Sequence, residues 1–130
     1  NNEPEYAGST FMYLDKGVDT GQIIHQIRPV INITDSFHQF SNRFLINCFR
    51  TYSKIAQRHL KYELDMPLLS NNNKNIKRLL YKKSDFSKAS VILLYKNLRD
   101  GMLGEYISNK KEKCNNVPIL EQEWLKTDNL

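Results

Sequence analysis

The sequence predicts an α/β chain in which a short pair of strands is followed by a long helix and then by a mainly helical extension. Three observations lead there. Two segments rich in β-formers flank an acidic, glycine-bearing turn at 15–21. An apolar stripe at helical spacing covers 37–60, and a second helix-period set of apolar residues runs from Val91 to Ile107.

In chain order, residues 1–7 are polar and irregular around Pro4, and residues 8–14 read as a strand. The stretch 15–21 holds Asp15, Gly17, Asp19 and Gly21, which is turn chemistry. A second strand is expected over 23–30, with Pro29 near its end because proline cannot donate to a ladder. Thr34, Asp35 and Ser36 are N-cap candidates, and Ser36 with Gln39 fits a capping box. Phe37, Phe40, Phe44, Cys48, Tyr52, Ile55 and His59 then define a helix, with Leu45, Ala56 and Leu60 widening its stripe into an expected core face. Met66 and Pro67 end it, 70–75 reads as a polar loop, and 79–81 as a short strand. Asp85 or Ser87 is expected to cap a second helix whose apolar face holds Val91, Leu94, Tyr95, Leu98, Met102, Tyr106 and Ile107. Gly101 and Gly104 each weaken that helix by about 1 kcal/mol relative to alanine, and a break is expected near Asp100 and Gly101. Residues 110–116 form a charged, polar stretch, and 119–126 a short terminal helix from which Trp124 docks back. The expected division is 1–66 for the strand–loop–strand–helix part and 67–130 for the extension.

The 130 residues carry a net charge of +5, with most Lys and Arg after Lys54. Such a balance attracts anions. No zinc-ligand spacing and no stacking-aromatic strand motif accompanies it, so nucleic acid is not the expected partner, and a solvated lysine-rich surface is the default reading. Cys48 and Cys114 lie far apart and suggest no disulfide framework; Cys48 falls on the apolar side of the long helix and is expected to be a buried thiol. No apolar run approaches membrane-spanning length. The expected setting is cytoplasmic, where the acceptor triplet Asn32-Ile33-Thr34 would be inert.

Two local readings apply to the 15–21 turn. Its aspartates can hydrogen-bond nearby backbone amides, or Asp15 and Asp19 can contribute to a metal site, for which two carboxylates are too few ligands. His25 on the second strand and His38 in the first helical turn are expected to be structural or surface residues.

The run Gly8, Thr10, Phe11, Met12, Leu14, Asp15, Gly17, Asp19, Gly21, Ile23, Ile24 and Gln26, followed by Asp35 and Ser36 before the helix, resembles the C-terminal half of the active-site segment of the 10-formyltetrahydrofolate-dependent formyltransferases. The match extends without a gap from Gly8 to about Leu45. It implies the C-terminal part of a Rossmann-like formyltransferase domain followed by a helical tail. It also implies that the domain's first strands and helices, with an Asn-x-His motif, lie upstream of Asn1, and that the chain is inactive without them. In the family, a primary amine attacks the formyl carbon of 10-formyltetrahydrofolate. The Asn and His stabilise the resulting oxyanion and move protons, and a carboxylate stands beside the His. Asp19 occupies that carboxylate's position. Asp15, Lys16, Gly17 and Val18 resemble the part of the loop that lines the pterin pocket with backbone groups.

The acceptor follows from departures and tail. The glycinamide-ribonucleotide branch has His at the Met12 position and Glu at the Cys48 position, both touching its phosphoribosyl substrate. The methionyl-tRNA branch shares Met12 but continues into a β-rich barrel, whereas the tail from Asn71 reads as helical. That tail resembles those of less characterised bacterial formyltransferases, including those acting on amino-sugar nucleotides, so the expected acceptor is a primary amine, that of a nucleotide-linked sugar. tRNA is the alternative, and a noncatalytic anion- or partner-binding module is a third reading.

Overall fold

A computed structural model describes residues 1–17, 20–62 and 81–126. It is mixed in class: one two-stranded sheet and otherwise helices. Strand β1 (Ser9–Met12) pairs antiparallel with β2 (Ile23–Ile27), Ser9 opposite Ile27 and Phe11 opposite His25. A register shift between Phe11 and Met12 brings Met12 opposite Ile23, so β2 holds one residue more than β1 over this stretch. The Tyr13 N–H donates to the Gln22 carbonyl at 3.0 Å and closes the neck below the acidic turn. Both strands are shorter than their sequence spans; β2 stops two residues before Pro29.

Helix α1 (Phe37–Tyr62) begins at the expected capping box: the Ser36 N–H donates to Gln39 Oε1 at 2.7 Å, and the Gln39 N–H to Ser36 Oγ at 3.3 Å. Ahead of it, Asp35 Oδ2 accepts from the Asn32 N–H at 2.7 Å and is paired with Arg43. Arg43 also donates to the Val30 carbonyl at 2.7 Å. Three successive anchors therefore fix the entry to α1.

The expected core face of α1 needs correction. Ile55 is buried, and Phe37, Phe40, Phe44, Cys48, Ala56 and His59 are half-buried, but Leu45, Tyr52 and Leu60 are exposed, as are Ile46 and Phe49. At 100° per residue, Leu45, Phe49 and Tyr52 lie together on a face well away from Thr51 and Ile55. A two-stranded sheet covers one side of a 26-residue helix, and among the described residues nothing covers the second apolar side.

Helix α2 (Lys88–Arg99) starts at Ser87, whose Oγ accepts from the Ser90 N–H at 3.3 Å. Asp85 caps the preceding 3₁₀ turn instead, through the Lys82 N–H at 2.6 Å. The expected break is at Gly101, with φ of +94°, a left-handed value that suits glycine. Helix α3 (Met102–Ser108) follows. Residues 110–116, read from the sequence as a charged stretch, form helix α4 (Lys110–Asn116), held where Lys113 meets Glu105 at 3.3 Å and Glu5 at 3.7 Å. The terminal helix is shorter than expected, α5 (Glu123–Lys126). The boundary at 66/67, the 70–75 loop and residues 79–80 lie outside the described residues, and Tyr81 has no regular structure.

Two apolar clusters hold these pieces. Ile24, Ile55 and Leu125 pack with Phe11, Tyr13 and Trp124. Arg58 lies over the Trp124 ring, 4.6 Å from its centroid, so Trp124 does dock back onto α1. Ile31, Met102, Leu103 and Tyr106 form the second cluster with Phe40, Leu94 and Leu98. Burial, reinforced by the Cys114 thiol 3.6 Å away, pushes the Tyr106 phenol up to about 12. Cys48 and Cys114 are both free thiols, and Cys48 is half-buried rather than buried.

Candidate functional site

Among the described residues of the 15–21 turn, the Asp15 carboxylate and two glycines set its shape. Asp15 Oδ1 accepts from the Thr20 hydroxyl at 2.6 Å and from the Gly17 N–H at 2.9 Å. These two hydrogen bonds, Thr20 first, hold the exposed Asp15 carboxyl below its usual range. A Cβ on Gly17 would sit 2.0 Å from Thr20 Oγ1, and one on Gly21 would sit 1.6 Å from the Tyr13 carbonyl oxygen. Both glycines are required for close approach, at the Thr20 side chain and at the neck respectively.

Of the candidate site residues, Asp15, Lys16 and Gly17 are exposed at the tip of the strand pair. Val18 and Asp19 lie outside the described residues. The Asp15 side chain is engaged in shaping the turn, as the local turn chemistry predicts. Among the described residues, no group of three His, Cys, Asp or Glu side chains is placed to hold a metal ion.

Below the turn, Tyr13 links the sheet to α1: its hydroxyl lies 3.4 Å from His59 Nδ1, and the two rings are 5.9 Å apart. Phe11 stacks on His25 at 6.3 Å. His25 is 3% exposed, and its Nδ1 accepts from the Gln122 N–H at 2.9 Å. His38 sits at the surface with Tyr95 Oη 3.3 Å from its Nε2.

The sequence gives no sign of what lies beside β2. The Gln26 N–H donates to the Leu120 carbonyl at 2.7 Å, and Gln26 Oε1 accepts from the Leu120 N–H at 2.9 Å. Gln26 Nε2 reaches back across the pair to Thr10 Oγ1 at 3.0 Å, and Gln122 Nε2 donates to the Ile24 carbonyl at 3.0 Å. Residues 119–122 thus act as a strap along the free edge of β2. Among the described residues, β1 has no second strand on its outer edge.

Compared with family models, with curated proteins and with solved structures, the chain has no match. Among the described residues, no helix is long and apolar enough to cross a membrane.

Proposed function

We propose that this chain carries the acidic loop of a formyltransferase that moves a formyl group from 10-formyltetrahydrofolate to a primary amine, with a nucleotide-linked amino sugar as acceptor. The observation that supports the reading is the hairpin itself. An exposed acidic turn stands on a closed neck, and its two glycines sit where side chains cannot fit.

The chemistry assigned to these residues is limited and specific. A pterin edge presents ring N–H and amino donors, which need acceptors. Asp15 takes up the Gly17 N–H, so the turn offers backbone carbonyls to such an edge, held in place by the Asp15–Thr20–Gly17 hydrogen bonds. Asp19 is assigned the proton work. A carboxylate beside an imidazole favours the imidazolium and raises its pKa, which lets the His act as a general acid near neutral pH. The sequence contains no Asn-x-His triplet, so the imidazole and the oxyanion donor come from outside these 130 residues.

Titration of the labelled chain with 5-formyltetrahydrofolate, a stable folate, tests the loop assignment by amide NMR. Saturable shifts centred on residues 15–18 are expected, and they should weaken in Asp15→Ala, where the turn loses its internal acceptor. No saturable shift at millimolar folate, or shifts centred elsewhere, would overturn the assignment.

A further inference from the structure

A cavity lies away from the turn, between α1, β2 and the strap. It encloses about 560 Å³, within the range of about 300–1,000 Å³ typical of small-molecule sites. Asn47, Arg50, Lys54 and Gln57 line one side; their spacing of three, four and three residues puts them on one stripe of α1. Buried Thr51, His25, Ile27 and Leu125 contribute its inner surface, and Glu121 contributes from the strap.

Four of these polar side chains, Asn47, Arg50, Gln57 and Glu121, make no hydrogen bond or ion pair with any other described residue. Asn47 is half-buried and Arg50, Gln57 and Glu121 are exposed at the cavity's rim, so all four are open to a ligand that sits over the partly apolar floor. Helix α1 contains five Lys or Arg and no Asp or Glu, so the field on this wall is positive. We propose that the cavity binds a phosphate monoester of a small polyhydroxylated molecule.

The argument takes the two ends of the ligand in turn. Arg50 offers a planar fork that matches phosphate oxygens, and Lys54, one turn away and already engaged in a contact of its own, adds to the positive potential of the same region. Glu121 would repel a bare anion, but its carboxylate accepts hydrogen bonds from hydroxyls. The amides of Asn47 and Gln57 both donate and accept, which suits a polyol. A ligand with phosphate at one end and hydroxyls at the other satisfies all four side chains; inorganic phosphate satisfies only Arg50. This site is independent of the formyl-transfer reading, because it shares no residue with the turn.

Calorimetric titration with ribose 5-phosphate, inorganic phosphate and ribose at physiological ionic strength tests it, with amide NMR locating the site. Ribose 5-phosphate should bind saturably and at least about fivefold tighter than inorganic phosphate, and ribose should not bind measurably. Arg50→Gln should weaken binding about tenfold or more. Glu121→Gln should erase the preference over inorganic phosphate. Lys96→Gln, an equal loss of charge on α2, should change little. Circular dichroism should be unchanged in all three variants, and resonances of residues 15–17 should not move. No saturable binding, equal binding of phosphate and ribose 5-phosphate, or equal weakening by Lys96→Gln would overturn the proposal.

Discussion

Gly21→Ala tests whether the acidic turn stands on a neck that admits no side chain. The new Cβ would lie 1.6 Å from the Tyr13 carbonyl oxygen and 2.7 Å from its carbon. Ordinary carbon contacts are about 3.5 Å or longer, so the two strands must part by more than an ångström. The Tyr13–Gln22 hydrogen bond, 3.0 Å long and one residue away, cannot survive that movement. Overpacking costs about 1–3 kcal/mol, and the lost hydrogen bond about 1 kcal/mol more. At this chain length, where each kcal/mol moves the midpoint by about 4 °C, Tm should fall by about 8–16 °C. Gly104→Ala is the control. Inside helix α3, its Cβ meets only the Ile33 side chain, at 3.7 Å from Cδ1 and 4.0 Å from Cγ1, so it should gain up to about 1 kcal/mol from helix propensity. Urea unfolding followed by far-UV circular dichroism measures both. A Gly21→Ala variant as stable as the parent, or one no worse than Gly104→Ala, would refute the close-packed neck.

Three further outcomes follow from the same structure. Asp35, hydrogen-bonded by Arg43 and by the Asn32 N–H, and Asp15, hydrogen-bonded by Thr20, both titrate below their usual range. The unfolded chain therefore binds more protons than the folded one below about pH 4, and stability is lost as pH falls through the folded values; Asp35→Asn should flatten that acid limb in a thermal-melt series, and an unchanged limb would count against the pairing. Tyr106, 1% exposed at the centre of the α3 cluster, should cost about 3–5 kcal/mol when replaced by alanine; a loss below about 1 kcal/mol in urea unfolding would mean that the cluster does not hold the tail. The chain alone, with no Asn-x-His triplet in its sequence, should transfer no formyl group from 10-formyltetrahydrofolate to any amine in a product assay, and measurable turnover would show that other residues do the chemistry.

Local chemistry was legible in the sequence, and long-range coverage was not. The 37–62 helix, the Ser36–Gln39 box, the Ser87 cap and the break at Gly101 follow from spacing and capping over a few residues. Which apolar residues of α1 are buried depends on how many strands lie beneath it, and the two present cover Ile55 but leave Tyr52 and Leu60 in the open. The strap on β2 joins residues 94 positions apart through Gln26, a residue whose sequence context marks no partner. At the turn, the Asp15–Gly17 hydrogen bond is the local pattern an aspartate in a glycine turn predicts, while the Thr20 hydroxyl as its second partner had no sequence signal. The cavity along Asn47, Arg50, Lys54 and Gln57 is visible in hindsight as a polar stripe at helical spacing, but its other wall comes from 121–125.

The central claim rests on Asp19. Its most direct test is steady-state kinetics of Asp19→Asn in a polypeptide where this segment follows an Asn-x-His sequence, with Asp15→Asn beside it. Asn keeps the size of Asp and removes the charge, so it cannot favour the imidazolium that the proposed mechanism sets beside it. Turnover should fall about a hundredfold or more with the circular dichroism spectrum unchanged, and Asp15→Asn should lose less. A folded Asp19→Asn variant that turns over nearly as fast as the parent would contradict the account.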